Sequence, residues 1–129
     1  MNFYLACSAA LVLLYAVLSV TVSLTRLRRR KDPSITDARL TKVVRAHGNA
    51  AEYIPIFVLM FLYANSLPPS AAMQWIAGAA VVSRYFHAIG IYLIPDMTHR
   101  HPLRFLGALG TYVCLFAFGF ALLARAIPG

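Results

Sequence analysis

The sequence predicts an all-α integral membrane protein, a four-transmembrane-helix bundle formed by one domain over residues 1–129. Three observations carry that expectation. Apolar residues make up 60% of the chain, against roughly 45–50% in soluble domains. Only 12% are charged and mean hydropathy is +0.70, too little polar surface to cover a globule in water. The apolar residues also fall into four runs, each near the roughly 20 residues a helix needs to cross hydrocarbon.

The first segment, about 3–25, runs from Phe3 to Thr25 without a charge. It is longer than a signal-peptide core and no A-x-A site follows it, so it reads as a retained span. The second, about 40–66, ends at the turn Leu67-Pro68-Pro69-Ser70. Pro55 inside it removes a donor to the Ala51 carbonyl and is expected to kink the helix just beyond Glu52. The third, about 71–94, stops at Pro95. The fourth, about 102–126, opens on Pro102, suited to a first helical turn, and is closed by Pro128-Gly129.

Twelve Lys and Arg face four Asp and Glu, giving a pI near 10.1. In a soluble protein that balance would suggest nucleic acid. Here the basic residues flank apolar runs, so membrane orientation explains them and no nucleic-acid partner is expected. The first connection holds Arg26, Arg28, Arg29, Arg30, Lys31, Arg39 and Lys42, the second no charge, and the third Arg100 and Arg104 with Asp96, His99 and His101. By the positive-inside rule, the first and third connections are cytoplasmic and both termini lie on the far side. Cys7 and Cys114 sit in apolar runs as small core residues, and no metal site is expected. His99 and His101 read as a solvated loop.

Polar groups inside apolar segments are the informative exceptions. Arg45, Asn49 and Glu52, at i, i+4 and i+7, share one helix face. With a start near Leu40, Glu52 lies about 18 Å along the axis. Arg84 and His87, at i and i+3, share a face of the third segment, and Tyr85 and Tyr92 another. Charges at membrane depth cost roughly 2.5–3.5 kcal/mol each on insertion scales, so they should face the interior and find partners. Glu52 paired with Arg84 or Arg45 is the simplest helix-to-helix tie. Arg26, Arg45, Arg84 and Arg104 exceed what Glu52 can neutralise, so surplus arginines form a cage for an anion. Gly48 is expected to allow close helix approach beside Asn49, and Gly107, Gly110 and Gly119 likewise.

The run Arg45-Ala46-His47-Gly48-Asn49-Ala50-Ala51-Glu52-Tyr53-Ile54-Pro55 resembles the signature of the membrane-associated proteins in eicosanoid and glutathione metabolism, the MAPEG family. Its HGNAAEYIPI core is similar to the small bacterial branch, related to microsomal glutathione transferases. Length, segment number and the basic first connection agree with that family. The resemblance implies a homotrimer in the bacterial inner membrane, with glutathione as co-substrate between protomers near the cytoplasmic side. It implies glutathione contacts from Arg26, Arg45, His47, Asn49, Glu52, Tyr53, Arg84, His87 and Tyr92, Glu52 accepting from the α-amino group. Arg104 resembles the arginine that stabilises the thiolate, with Arg100 its competitor. Where relatives carry a tyrosine seven residues after the helix-three arginine, this chain has Ile91, with Tyr92 adjacent.

The implied activity is that of a membrane glutathione transferase or peroxidase, which conjugates glutathione to hydrophobic small-molecule electrophiles or reduces them, with lipid around it. An alternative is a non-catalytic relative that holds a lipid or another anion in the same cleft. A small proton-coupled exporter, a further class, usually carries its key acid in helix one, and here that segment has none.

Overall fold

The computed structural model describes residues 1–127 and consists of four helices: α1 (Phe3–Arg29), α2 (Asp37–Asn65), α3 (Ala71–Leu93) and α4 (Pro102–Ala126). Each begins at a side-chain cap. Asn2, Thr36, Ser70 and His101 accept from the backbone N–H of Leu5, Arg39, Met73 and Leu103 respectively, which satisfies donors that a helix start leaves open. The expected Pro128-Gly129 stop lies outside the described residues.

Two ends differ from the sequence expectation. α1 continues past Thr25 to Arg29, because Arg26, Arg28 and Arg29 occupy its last turn, where the helix dipole favours cations. α2 begins at Asp37 rather than Leu40, because Thr36 caps it and Asp37 stands in the first turn, where an anion is favoured. α2 runs on through Pro55.

Short connections make successive helices antiparallel, and named contacts fix the ends. Asn2 Nδ2 donates to Asn65 Oδ1 at 2.7 Å, joining the start of α1 to the end of α2. At the opposite end Lys42 Nζ donates to the carbonyls of Tyr92 (3.2 Å) and Ile94 (3.0 Å), so a lysine of α2 closes the C-terminus of α3. Tyr85 of α3 donates its hydroxyl to the Ala10 carbonyl of α1 at 2.9 Å. The shared core is apolar, with Leu11, Phe57, Phe61, Ala77, Ile91 and Phe118 almost wholly buried. Cys7 and Cys114 are buried and unbridged.

By length and composition three helices, α1, α3 and α4, can cross a membrane. α2 is set apart by its first half, where Asp37, Arg39, Lys42, Arg45, Asn49 and Glu52 interrupt the apolar sequence. Large apolar side chains point outward from the spans, among them Leu13, Val17, Phe116 and Phe120. A surface of this kind suits lipid or another apolar partner, not water.

α3 and α4 meet more closely than any side chain would permit. A Cβ at Gly90 would lie 2.2 Å from the Arg104 backbone nitrogen, one at Gly107 2.3 Å from that of His87, and one at Gly110 2.2 Å from Ser83 Oγ. Gly107 and Gly110 therefore act as expected, and Gly90 joins them from α3. Gly48 and Gly119 do not: a Cβ at either meets nothing within 4 Å. Gly48 faces an open cleft instead of a helix.

Overpacking against backbone cannot be relieved by a rotamer change, and costs typically about 1–3 kcal/mol or more. Gly90→Ala and Gly107→Ala are each expected to lower the unfolding midpoint in detergent. Gly78→Ala, whose Cβ would lie an ordinary 3.5 Å from Phe3, should leave it unchanged or raise it. Equal midpoints for all three variants would contradict the close-contact account.

Candidate functional site: a cationic cleft between α2 and α4

α4 packs along α3, so its first half stands away from α2 and a cleft of about 980 Å³ opens between them. Further along, the same two helices meet through Tyr53 and Tyr112, ring centroids 6.2 Å apart, and through Phe61 and Phe118 at 5.8 Å. These contacts close the floor. The cleft lies at the end of the bundle that carries the first and third connections.

Arg45, Gly48, Asn49 and Glu52 line one wall, as their shared helix face requires. His87 and Ile91 contribute from α3, and Arg104, Phe105, Ala108 and Tyr112 from α4. The α3–α4 connection supplies Met97 to His101, including Arg100. Three arginines thus face one carboxylate, that of Glu52. The excess of cations expected from the sequence is realised in one cavity.

Arg84 lies beneath the wall, 1% exposed. Its Nη2 donates to Asn49 Oδ1 at 2.6 Å and its Nη1 to Thr111 Oγ1 at 3.3 Å. The guanidinium also sits 5.2 Å from the centre of the Tyr53 ring, a cation–π distance. The expected ion pair of Glu52 with Arg84 or Arg45 is not formed among the described residues. Asn49, one turn nearer the helix start than Tyr53, takes Arg84 instead, and Glu52 stays on the exposed cleft side. Arg84 Nε has no hydrogen-bond partner among the described residues.

Arg84 determines which atoms the cleft presents. A guanidinium only donates, so Asn49 must turn its oxygen inward, which leaves its amide N–H groups as donors. Thr111 donates its one hydrogen to the Gly107 carbonyl at 2.7 Å while accepting from Arg84, and so has no donor left to offer. His87 Nδ1 faces the Arg104 carbonyl at 3.1 Å. A carbonyl only accepts, so Nδ1 carries the hydrogen and Nε2 is the acceptor of the neutral ring.

Arg104 is held from three directions. Gly90 and His87 fix its backbone, and its Nη1 donates to the His99 carbonyl at 3.4 Å. The connection is itself ordered by Asp96, whose Oδ1 accepts from Thr98 N at 2.9 Å, from the Thr98 hydroxyl, and from His99 Nδ1 at 2.9 Å. The Thr98 hydroxyl first, then His99, holds the Asp96 carboxyl well below the usual range. These bonds favour the ionised form. Their stabilisation is therefore present above the ordinary carboxylate value of 3.8 and lost as pH falls below it. His99 is thus in a tied turn and His101 caps α4; no cluster of metal-ligand side chains forms among the described residues.

A single chain does not bring every sequence-derived candidate to the cleft. Arg26 is exposed on α1. His47 is turned toward α1, its ring stacked on Tyr15 with centroids 5.1 Å apart. Tyr92 faces outward at 37% exposure, with Lys42 Nζ 5.9 Å from its ring centre. Tyr53 and Arg84 form the support under the wall. Thr111 and Tyr112 were missed, although they stand seven and eight residues after Arg104, spacing that returns to one helix face.

Tyr112 also borders a second, apolar groove of about 420 Å³ along α4, lined by Leu115, Phe116, Gly119, Phe120 and Leu123. A polar cleft and an apolar channel thus share one residue.

A family model described as the MAPEG family matches residues 4–124, nearly the whole chain. No curated protein and no solved structure matches. The family match, with three helices long and apolar enough to span, makes this an integral membrane protein whose kind of function is related to glutathione transferases or eicosanoid metabolism. The chain belongs to the MAPEG family.

Proposed function

We propose that the protein is a membrane-bound glutathione transferase or peroxidase that binds glutathione in the cationic cleft and turns its thiolate on hydrophobic electrophiles. The observation that carries this reading is the convergence of Arg45, Asn49 and Glu52 with Arg100, Arg104 and His87 in one cavity. Glutathione has two carboxylates, one ammonium, two amides and a thiol. Arginines suit the carboxylates bidentately, Glu52 the ammonium, and the Asn49 amide a backbone carbonyl.

A free thiol has a pKa near 8.5, and a neighbouring arginine lowers it. Arg104, held through its backbone and by the His99 carbonyl, serves as the thiolate's counter-charge in this scheme, with Arg100 as its competitor. The thiol proton leaves to solvent. The sulfur's electron pair then forms the new bond to an electrophilic carbon as the leaving group departs with its bonding pair. With a hydroperoxide the sulfur instead takes the outer oxygen as the O–O bond breaks, and the alkoxide picks up a proton and leaves as the alcohol. A second glutathione then displaces water from the sulfenic acid to give the disulfide. The apolar groove beyond Tyr112 suits a lipophilic co-substrate arriving from the bilayer.

The functional unit in this reading is a homotrimer in a bacterial inner membrane, with α2 as the fourth span and both termini away from the cytoplasm. The outward direction of Arg26 and Tyr92 supports sites completed by a neighbouring protomer.

Removing one partner of a charged hydrogen bond costs about 1.5–3 kcal/mol, on the order of ten- to a hundredfold in affinity. Arg45→Ala and Glu52→Ala are each expected to weaken glutathione binding by that factor in calorimetry; binding equal to the parent would refute the site. Asn49→Asp should still accept from Arg84 and preserve stability, yet lose glutathione affinity because its donors are gone. Rapid mixing with glutathione at neutral pH should produce thiolate absorbance in the ultraviolet. That signal is expected to vanish in Arg104→Gln and persist in Arg100→Gln, and the reverse pattern would exchange the two roles.

A further inference from the structure

Apart from Arg26, the connection between α1 and α2 carries charge that the cleft does not use. Arg26, Arg28, Arg29, Arg30, Lys31, Arg39 and Lys42 stand there against two acids, Asp32 and Asp37. Asp37 pairs with Arg29, and Asp32 Oδ1 accepts from Ser34 N at 2.9 Å. Lys42 is engaged by the α3 carbonyls. Arg26, Arg28, Arg30, Lys31 and Arg39 remain exposed, with no ion pair to an acid among the described residues.

Their placement is ordered. α1 stays helical to Arg29, and Lys31 follows in a turn whose N–H bonds the Arg28 carbonyl at 3.0 Å. Leu24, Leu27, Arg28 and Lys31 therefore stand at i, i+3, i+4 and i+7 on one outward stripe. Leu24 and Leu27 are 44% and 53% exposed. Along this stripe the surface passes from apolar to cationic within two turns, the order of acyl chain and headgroup at a bilayer boundary. Arg30, three residues after Leu27, borders it, while Arg26 lies on the opposite side of α1.

We propose that this stripe binds anionic phospholipids of the surrounding leaflet, their phosphates on Arg28, Arg30 and Lys31 and their chains against Leu24 and Leu27. The exposed leucines distinguish a lipid from a free phosphate or a nucleic acid, neither of which has a chain to lay on them. This inference rests on membrane residence and is independent of the glutathione reading.

The test uses the full-length protein in neutral detergent, with bound lipid counted by native mass spectrometry. Phosphatidylglycerol and phosphatidylcholine of identical chains are compared; inorganic phosphate and a short oligonucleotide are added as competitors. The parent is expected to prefer phosphatidylglycerol, with a preference that falls as salt rises, a readout that needs no variant. One Lys or Arg near an anionic surface is worth about 1 kcal/mol, so each cation removed should weaken binding about fivefold. Arg28→Gln, Arg30→Gln and Lys31→Gln together should lose on the order of a hundredfold, whereas Arg28→Lys with Arg30→Lys should keep the preference. Equal binding of the two lipids by the parent, or an undiminished preference in the triple glutamine variant, would overturn the proposal. So would displacement of the lipid by phosphate or oligonucleotide.

Discussion

A guanidinium buried among membrane helices cannot lose its proton and cannot accept a hydrogen bond. Every neighbour of Arg84 must therefore offer an acceptor or a π-face. Three groups from two helices meet that demand: Asn49 and the Tyr53 ring from α2, and Thr111 from α4. The consequence reaches beyond stability. Asn49 is locked with its oxygen inward and becomes a donor to the cleft, while Thr111 has no donor left for a ligand. Leaving these groups without Arg84 would strand buried polar atoms at about 1–3 kcal/mol apiece. One charge under the wall thus decides the hydrogen-bonding character of the wall itself.

The glycine contact between α3 and α4 performs the complementary task. Without a side chain at Gly90, Gly107 or Gly110, the two backbones approach until His87 can donate to a carbonyl of the first turn of α4. That draws α4 onto α3 and away from the start of α2, and the space left between them is the cleft. Aromatic contacts hold α2 and α4 together further along, so the opening is confined to the end where the arginines lie. Position and charge of the site follow from the same packing choice.

Much of this was legible in the sequence, and the reasons are local. Runs of apolar residues bounded by Pro, Ser and Thr specify helices without reference to partners, and helical spacing alone put Arg45, Asn49 and Glu52 on one wall. The pairing of Glu52 with an arginine was not legible: opposite charge suggested it, but partner choice depends on which residue of α2 sits level with Arg84, a matter of helix rotation and offset. Asn49 is at that level and Glu52 is not. The glycines carried a similar ambiguity. Gly48 and Gly107 look alike in sequence, and only the direction each faces separates a cleft wall from a helix contact. Thr111 and Tyr112 gave a periodic signal relative to Arg104, too weak without knowing which face of α4 turns inward.

The remaining imbalance is electrostatic. Arg45, Arg100 and Arg104 share a cleft with one carboxylate, and Arg84 lies behind it without an acid of its own. Like charges gathered in one cleft repel, and no rearrangement of these side chains supplies an anion. The chain's other acids, Asp32, Asp37 and Asp96, are each tied to local partners at helix ends or in the connections. An arrangement of this kind is stable where the charge is completed from outside. A ligand with two carboxylates and a thiol able to ionise would bring up to three negative charges to the cleft, and one ammonium for Glu52. The same imbalance that costs the unliganded protein stability would then become binding energy, and the protein would be most stable with its ligand in place.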